Sequence, residues 1–242
     1  MNIIKLNAIN STNDYLKNLT ATRHVDNLTV VVAENQTGGR GQMGSVWSVE
    51  AGKNLTFSVL VKDLLLEINA IFSLNAAVAI SVAQALEAFS IPEISIKWPN
   101  DILAGNKKIG GILIENIIKN NGEILSVAGI GLNVNQINFE GLPKASSLRL
   151  VTGREFDINI LLDAIVGVLK RNIALLLRKD IAPIWDVYNR LLFKKDIPMP
   201  FEGNSGRFMG IIKGVTTGGS LELLLENDTV AHYGIKEVQM LY

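Results

Sequence analysis

A glycine-rich stretch at residues 38–47, GGRGQMGSVW, contains the first residues in the chain whose types and spacing could bind a ligand. Its G-x-G-x-x-G pattern consists of Gly39, Gly41 and Gly44. Dinucleotide-binding folds need these glycines at the start of a helix, but the residues that follow are strand-like. Protein kinases also need H-R-D and D-F-G, and neither tripeptide occurs. The stretch therefore matches a phosphate-loop pattern without the context of either fold.

A second stretch, KWPNDILAGNKKIGGILIE at Lys97–Glu115, places lysines and an aspartate close together. The chain has no cysteine and only two histidines, His24 and His232. Disulfides, thiolate zinc sites and cysteine nucleophiles are therefore excluded, and little is left for imidazole chemistry. Any catalysis must rest on lysine, arginine, carboxylates and backbone groups.

The composition is typical of a globular protein, and the formal net charge is zero. Its 242 residues, 48% of them hydrophobic, can bury a full core and leave room for a small appendage. The 23 basic residues balance the 23 acidic ones, so no global field attracts nucleic acid or a membrane surface. The N-terminus lacks the apolar segment of a signal peptide. We therefore predict a cytoplasmic protein with neither DNA nor a membrane as partner.

Hydrophobic periodicity predicts an α+β fold with a mixed, mainly antiparallel sheet flanked by helices. The predicted strands are residues 28–33, 55–61, 94–98, 112–118 and 124–130. The predicted helices are residues 72–89, 158–177 and 181–192, with a further helix starting at Ser11-Thr12-Asn13. Asn120-Asn121-Gly122 favours a hairpin turn, and strands joined by hairpins are antiparallel.

The chain changes character near its C-terminus. Pro198 and Pro200 indicate a break, after which three short strands are predicted at 208–215, 220–225 and 229–233. Short strands separated by turn residues are typical of a small β-barrel. We therefore expect two domains, residues 1–193 and residues 194–242.

Taken together, the motifs resemble those of the biotin protein ligases, which attach biotin to a lysine of a carrier protein. The matching segments are S-T-N at 11–13, the glycine-rich stretch, K-W-P-N-D at 97–101, K-x-G-G-I-L at 108–113, G-x-G-x-N at 129–133 and K-E-V at 236–238. K-W-P-N-D followed by K-x-G-G is specific, whereas the glycine-rich stretch alone would be weak.

The resemblance has implications for the fold. It implies a two-layer catalytic domain like those of class II aminoacyl-tRNA synthetases, followed by an SH3-like β-barrel. Longer members of the family carry an N-terminal helix-turn-helix that represses transcription. This chain begins directly at the catalytic motifs, so it resembles the short, non-regulatory class.

The resemblance also implies a reaction with ATP and Mg²⁺. Biotin's carboxylate is a poor electrophile and must first form a mixed anhydride with AMP, which requires positive charge near the oxygens as pyrophosphate leaves. By resemblance, Lys108 contacts the reacting carboxylate or α-phosphate, Arg40 neutralises phosphate charge, and Asp101 helps to hold Mg²⁺. The product would then pass to a lysine of a biotin carboxyl carrier protein.

The family pattern also implies two groups of binding residues. For biotin they are Ser11, Thr12, Asn13, Gln36, Gly39, Arg40, Lys108 and Gly111. For the nucleotide they are Arg40, Trp47, Asn100, Lys108 and Asn133. Neutral hydroxyls and amides suit biotin's ureido ring because they satisfy its donors and acceptor without burying a charge. Some members have arginine where this chain has Gln42, so Gln42 is assigned no charge role.

Most of these residues also have plain structural interpretations. A Lys107-Lys108 pair can be a solvated turn, and only the spacing to the paired glycines selects Lys108. Asp101 can cap a turn, and Trp47 can be a core residue instead of a cover for the adenylate. Trp98, which precedes a proline, is interpreted as structural, and an aromatic plate under the site is the second interpretation.

Three other functions stay open at this point. A lipoate ligase shares the fold and the adenylation chemistry, although K-W-P-N-D after G-R-G favours biotin. A biotin-binding sensor would need none of Lys108, Asp101 and Arg40. A nucleotide-binding regulatory module would explain neither S-T-N nor the C-terminal strands. The family resemblance further suggests a homodimer through the central sheet.

Overall fold

The structure is a computed structural model that describes residues 2–62, 64, 72–119 and 124–242. The turn predicted at Asn120-Asn121-Gly122 lies outside the described residues. The strands on either side of it, however, pair in antiparallel register from Ile118 opposite Ile124 onward.

A seven-stranded sheet forms the centre of the molecule. Its strands are β1 (Ile3–Ile9), β2 (Val30–Gln36), β3 (Leu55–Val61), β4 (Ile94–Lys97), β5 (Asp101–Ala104), β6 (Lys107–Ile118) and β7 (Ile124–Leu132). They lie in the order β1-β2-β3-β7-β6-β5-β4. Only β1 and β2 run parallel, and every other neighbouring pair is antiparallel. The predicted mixed, mainly antiparallel sheet is therefore confirmed.

Helices cover both faces of this sheet. They are α1 (Thr12–Thr22), α2 (Phe72–Ala88), α3 (Leu148–Thr152), α4 (Ile158–Leu177) and α5 (Ala182–Arg190). The central strand β3 is apolar apart from Thr56 and Ser58 and is buried along its whole length. It contacts α1, and Phe57 and Val59 belong to the core cluster that also contains residues of α2. On one face α2 packs against α4 and α5, and on the other α1 contacts β2, β3 and β7.

The start of α1 is fixed locally by its first residues. The side chain of Ser11 accepts a hydrogen bond from the Asp14 backbone N–H, which satisfies one of the free donors at a helix start. The predicted helix start is confirmed, and it places Thr12 and Asn13 in buried positions against β3.

The C-terminal strands form a second sheet. They are β8 (Pro198–Gly203), β9 (Gly206–Val215), β10 (Leu221–Leu225), β11 (Val230–Tyr233) and β12 (Val238–Met240), in the order β11-β10-β9-β8-β12. Pro198 and Pro200, where a change of character was predicted, both lie in β8, the first strand of this sheet along the chain, and β8 pairs with β9. Within the described residues β11 and β12 do not pair, so the predicted closed barrel is not confirmed.

The two sheets share one hydrophobic core. Phe201 and Leu221 of the second sheet belong to the same buried cluster as Phe57 and Leu86 of the central layers. At the junction the buried indole N–H of Trp98 donates to the Gly219 carbonyl at 2.9 Å. Trp98 therefore has the structural role that the sequence suggested.

No helix in the described part of the chain combines the length and the apolarity that crossing a membrane requires.

Removal of the Trp98 hydrogen bond provides a test of this junction. We expect Trp98→Phe to lower the free energy of unfolding by about 1–3 kcal/mol, because the buried Gly219 carbonyl loses its donor. Urea unfolding followed by circular dichroism measures this, and the shared core predicts one cooperative transition. Trp47→Phe is the matched control, since the Trp47 Nε1 has no partner within the described residues. Two separate transitions would contradict a shared core, and equal losses in both variants would contradict a stabilising Trp98–Gly219 hydrogen bond.

Candidate active site

A pocket of about 350 Å³ opens where the glycine-rich stretch and the start of α1 meet strands β6 and β7. It is lined by Ser11, Thr12, Asn13, Gln36, Arg40, Trp47, Asn100, Asp101, Lys108 and Gly111, which are ten of the twelve residues predicted for the site. Gln42 lies in the same wall. Residues that are up to a hundred positions apart in sequence thus surround one space.

Two predicted residues, Gly39 and Asn133, lie outside the pocket's lining. Gly39 supports the wall, because its carbonyl accepts a hydrogen bond from the Trp47 backbone N–H at 2.9 Å. Asn133 donates to the Ser146 carbonyl at 2.9 Å and lines a neighbouring pocket of about 470 Å³. The two pockets share Val46, Trp47 and Lys108.

Neutral polar groups form one end of the main pocket. Thr12 donates twice to the Gln36 side-chain oxygen, from its backbone N–H at 2.7 Å and from its hydroxyl at 2.9 Å. The Ser58 hydroxyl lies 2.7 Å from the Thr12 hydroxyl and 2.6 Å from the Asn13 side-chain oxygen. The Gln36 oxygen is already engaged, and in the described residues its NH₂ group has no partner, so that group can donate to a ligand.

Ser58 was not among the predicted site residues, although its position in the sequence carried a signal. It is a fully buried hydroxyl in the otherwise largely apolar strand LTFSVLV. A buried polar group needs a partner, and here it joins the two α1 residues that face the pocket.

Lys108 and Asp101 form an ion pair in the pocket wall. Lys108 Nζ lies 2.6 Å from Asp101 Oδ1, and Lys97 Nζ lies 3.8 Å from Asp101 Oδ2. Burial lowers the pKa of Lys97 below its usual value, although Asp101 opposes this effect. Three basic side chains (Arg40, Lys97 and Lys108) thus line the pocket together with one carboxylate, Asp101, a balance that favours an anionic ligand.

The structure separates Lys108 from its neighbour Lys107. A register shift between β5 and β6 pairs Leu103 with Lys108 but Ile102 with Gly110, so Ile109 is an extra residue. Bulges of this kind re-aim side chains. Lys107 is exposed and donates to the Pro143 carbonyl at 2.5 Å, outside the main pocket.

Trp47 packs against the backbone of β7 at Gly131. A Cβ added at Gly131 would lie 2.4 Å from Trp47 Cε2, so only glycine permits the indole to lie there. The side chain is half-buried, and its N–H is enclosed without a hydrogen-bond partner in the described residues. Trp47 is therefore a wall of both pockets and not a core residue.

Arg40 is held at the mouth of the pocket by carboxylates that the sequence analysis missed. Its Nη2 lies 2.5 Å from Asp14 Oδ1 and 3.5 Å from Glu115 Oε1. Lys17 Nζ lies 2.9 Å from both carboxylates. Burial alone would raise the pKa of Asp14 and of Glu115, but Lys17 and Arg40, with Asn13 at Glu115, outweigh it and lower both pKa values.

The described residues contain no cluster of three or more histidine or acidic side chains that could enclose a metal ion. Asp101 is the acidic side chain that lines the pocket. A hard cation such as Mg²⁺ would therefore need most of its ligands from a bound substrate and from water.

The comparisons with known proteins agree on one family. The family model described as the biotin/lipoate A/B protein ligase family matches residues 6–135, more than half of the chain. The bifunctional ligase/repressor BirA of Bacillus spizizenii is 38% identical over 135 residues, which cover 53% of this chain and 41% of that relative. This chain therefore spans less than half of that protein's length.

Two further proteins match over most of their length. A biotin–[acetyl-CoA-carboxylase] ligase of Paracoccus denitrificans is 29% identical, and the match covers 80% of this chain and 82% of that relative. The solved structure of the biotin protein ligase from Aquifex aeolicus in complex with biotin and ATP is 26% identical and superposes with a TM-score of 0.83. That superposition covers 99% of this chain and 98% of the other.

The contact between Trp47 and Gly131 can be tested without a ligand. We expect Gly131→Ala to displace the indole, because the new Cβ cannot share the space with the ring. Trp98 and Trp185 are buried, so greater acrylamide quenching of fluorescence would report Trp47. Gly167→Ala is the control, since nothing lies within 4 Å of its added Cβ. Unchanged quenching in Gly131→Ala would show that Trp47 does not rest on this strand.

Proposed function

The chain belongs to the biotin/lipoate A/B protein ligase family, and we propose that it is an ATP-dependent biotin protein ligase. The observation that carries this proposal is the position of Lys108, which lies in the wall shared by two pockets. One pocket offers neutral hydroxyl and amide groups, and the other is lined by aromatic residues and lysines. Lys108 can therefore reach the place where an acid and a nucleotide would meet.

In the first step an oxygen of biotin's carboxylate attacks the α-phosphorus of ATP. The bond to the β-phosphate oxygen breaks, and biotinyl-5′-AMP and pyrophosphate form. We assign Lys108 and Arg40 to the negative charge that develops on the phosphate oxygens, because preorganised cations stabilise such charge without reorganisation. The enclosed Trp47 N–H would gain an acceptor from the ligand in the same step.

The biotin group would occupy the neutral end of the pocket. The free NH₂ of Gln36 and the hydroxyls of Ser11 and Thr12 would meet the ureido ring, with Asn13, Gly39 and Gly111 completing the enclosure. The nucleotide would face Trp47, Asn100 and Asn133. Asn100 and Asn133 already donate from their NH₂ groups to backbone carbonyls, at 2.7 Å and 2.9 Å, so among the described residues their side-chain oxygens are the groups left for a ligand.

The residues present fit a magnesium ion that is bound mainly by ATP. Mg²⁺ usually takes one or two carboxylates together with substrate phosphates and water. Asp101, the carboxylate that lines the pocket, would help to hold it. When bound, the ion would neutralise phosphate charge as pyrophosphate leaves.

In the second step the amine of an acceptor lysine attacks the acyl carbon, an amide forms and AMP leaves. The acceptor would be a biotin carboxyl carrier protein in the cytoplasm. We assign catalysis to residues 1–193, in a domain of the class II synthetase type. Residues 194–242 would form an SH3-like unit that helps to dock the carrier or ATP. A homodimer through the central sheet is part of the same proposal.

The retained charged residues separate this proposal from its alternatives. A biotin-binding sensor needs no lysine between two pockets and no paired aspartate. A lipoate-type ligase would use the same chemistry on another acid. Incubation with ATP, Mg²⁺ and either biotin or lipoate, followed by mass detection of the acyl adenylate, distinguishes all three. Absence of biotinyl-AMP from folded protein would reject the proposal.

Substitution of the two adjacent lysines tests the assigned charge. A lysine used mainly in the transition state affects rate more than ground-state binding. We expect Lys108→Ala to slow adenylation by about 10²-fold or more, while biotin affinity stays within about tenfold, roughly 1.4 kcal/mol. Lys107→Ala is the matched control and should change the adenylation rate and the biotin affinity only slightly. Single-turnover adenylation and biotin titration measure the two effects. Equal behaviour of the two variants would refute the assignment to Lys108.

A further inference from the structure

Arg40 lies on a stretch that gives its side chain little support. Glycines flank it at positions 39 and 41, and glycine loses the most conformational freedom when it is ordered. The Arg40 side chain is 44% exposed. Its position is instead set by the carboxylates of Asp14 and Glu115, which come from α1 and β6.

The four charged groups at the pocket mouth balance one another. Arg40 and Lys17 carry two positive charges, and Asp14 and Glu115 carry two negative charges. Lys17 contacts both carboxylates at 2.9 Å. Its positive charge allows Asp14 and Glu115 to lie close together while both are ionised. Both carboxylates can therefore accept hydrogen bonds from Arg40, because Lys17 offsets the repulsion between them.

The geometry leaves most of the guanidinium free. Both contacts to carboxylates are made by Nη2. A guanidinium has five N–H donors, so in the described part of the chain Nε and Nη1 remain available to a ligand. Asp14 and Glu115 thus hold the side chain without using all of its donors.

The same cluster is connected to the neutral end of the pocket. Glu115 Oε2 accepts from Asn13 Nδ2 at 2.8 Å. The Asn13 side-chain oxygen lies 2.6 Å from the Ser58 hydroxyl, which also contacts Thr12. One hydrogen-bonded network therefore joins the cation at the pocket mouth to the residues assigned to biotin.

We propose that Asp14 and Glu115 are positioning residues for Arg40, an inference that rests on the proposed biotin ligase function. They hold the guanidinium at the mouth of the pocket before any ligand binds, with free donors for the phosphate of the adenylate. The conformational entropy of the Arg40 side chain is then lost during folding, and not during the reaction. When either carboxylate is lost, Arg40 keeps its positive charge, but its guanidinium is no longer held at the mouth of the pocket.

The first experiment measures the position of Arg40 in the absence of ligand. Trypsin cuts after arginine, so the rate of cleavage at Arg40 reports how firmly the stretch is held. We expect Asp14→Asn and Glu115→Gln to raise that rate at least threefold. Glu155→Gln is the matched control. Glu155 Oε1 lies 2.5 Å from Arg149 Nη1, and neither residue lines the pocket. Cleavage at the wild-type rate in both site variants would overturn the proposal.

The second experiment tests whether Asp14 acts through Arg40. Release of biotinyl-AMP and the kcat of adenylation are compared for Asp14→Asn in the wild-type and in the Arg40→Gln background. We expect release to rise at least fivefold in the first background and to change by less than twofold in the second, while the KM for biotin is nearly constant. Equal changes in both backgrounds would show a structural role and overturn the proposal. Asp14→Glu should restore part of the retention.

The two proposals fail in different ways. A folded wild-type enzyme that makes no biotinyl-AMP would reject the ligase function, whereas the trypsin measurement would still decide whether the carboxylates hold Arg40. An active wild-type enzyme with unaffected Asp14→Asn and Glu115→Gln variants would reject the positioning role alone. Thermal unfolding of each variant confirms that the compared proteins are folded, and Glu115→Gln replaces Asp14→Asn if the latter does not fold.

Discussion

Three glycines on two paired strands leave the face of the central sheet bare where the pocket lies. Gly111 of β6 pairs with Gly131 of β7, and Gly129 lies two residues earlier on β7. A Cβ at Gly129 would lie 2.5 Å from the Asn13 side-chain oxygen, and one at Gly131 would collide with Trp47. The close approach of α1 and of the glycine-rich stretch therefore depends on the absence of side chains at Gly129 and Gly131.

This bare surface determines where charge is placed around the pocket. Side chains that reach it must come from its edges, so Lys108 and Asp101 enter from β6 and β5, and Arg40 enters from the opposite stretch. Each of these two cations is paired with a carboxylate, at 2.6 Å for Lys108 and 2.5 Å for Arg40. Such pairs hold positive charge ready for an anionic substrate without strong mutual repulsion.

Elements with a strong periodic pattern were predicted correctly. The strand at 55–61 and the helix at 158–177 have the predicted bounds, because each has a continuous apolar pattern that is buried in the core. Strands β1, β5, β8 and β12 were missed. β1 is a partly exposed edge strand, β5 has four residues and β12 has three, and β8 contains two prolines. Their conformation comes from pairing with neighbours and not from their own pattern.

The sequence by itself determined which chemical groups are available and to which family the chain belongs. K-W-P-N-D, K-x-G-G and S-T-N are short contiguous patterns, so they can be recognised without knowledge of the fold. The sequence also identified Lys108, but only by its spacing to the glycines. The tertiary structure decided that a bulge separates Lys108 from Lys107, and that Ser58, Asp14 and Glu115 belong to the site. Glu115 and Asn13 are 102 positions apart, and such a contact exists only once the strands have paired and α1 has packed against them.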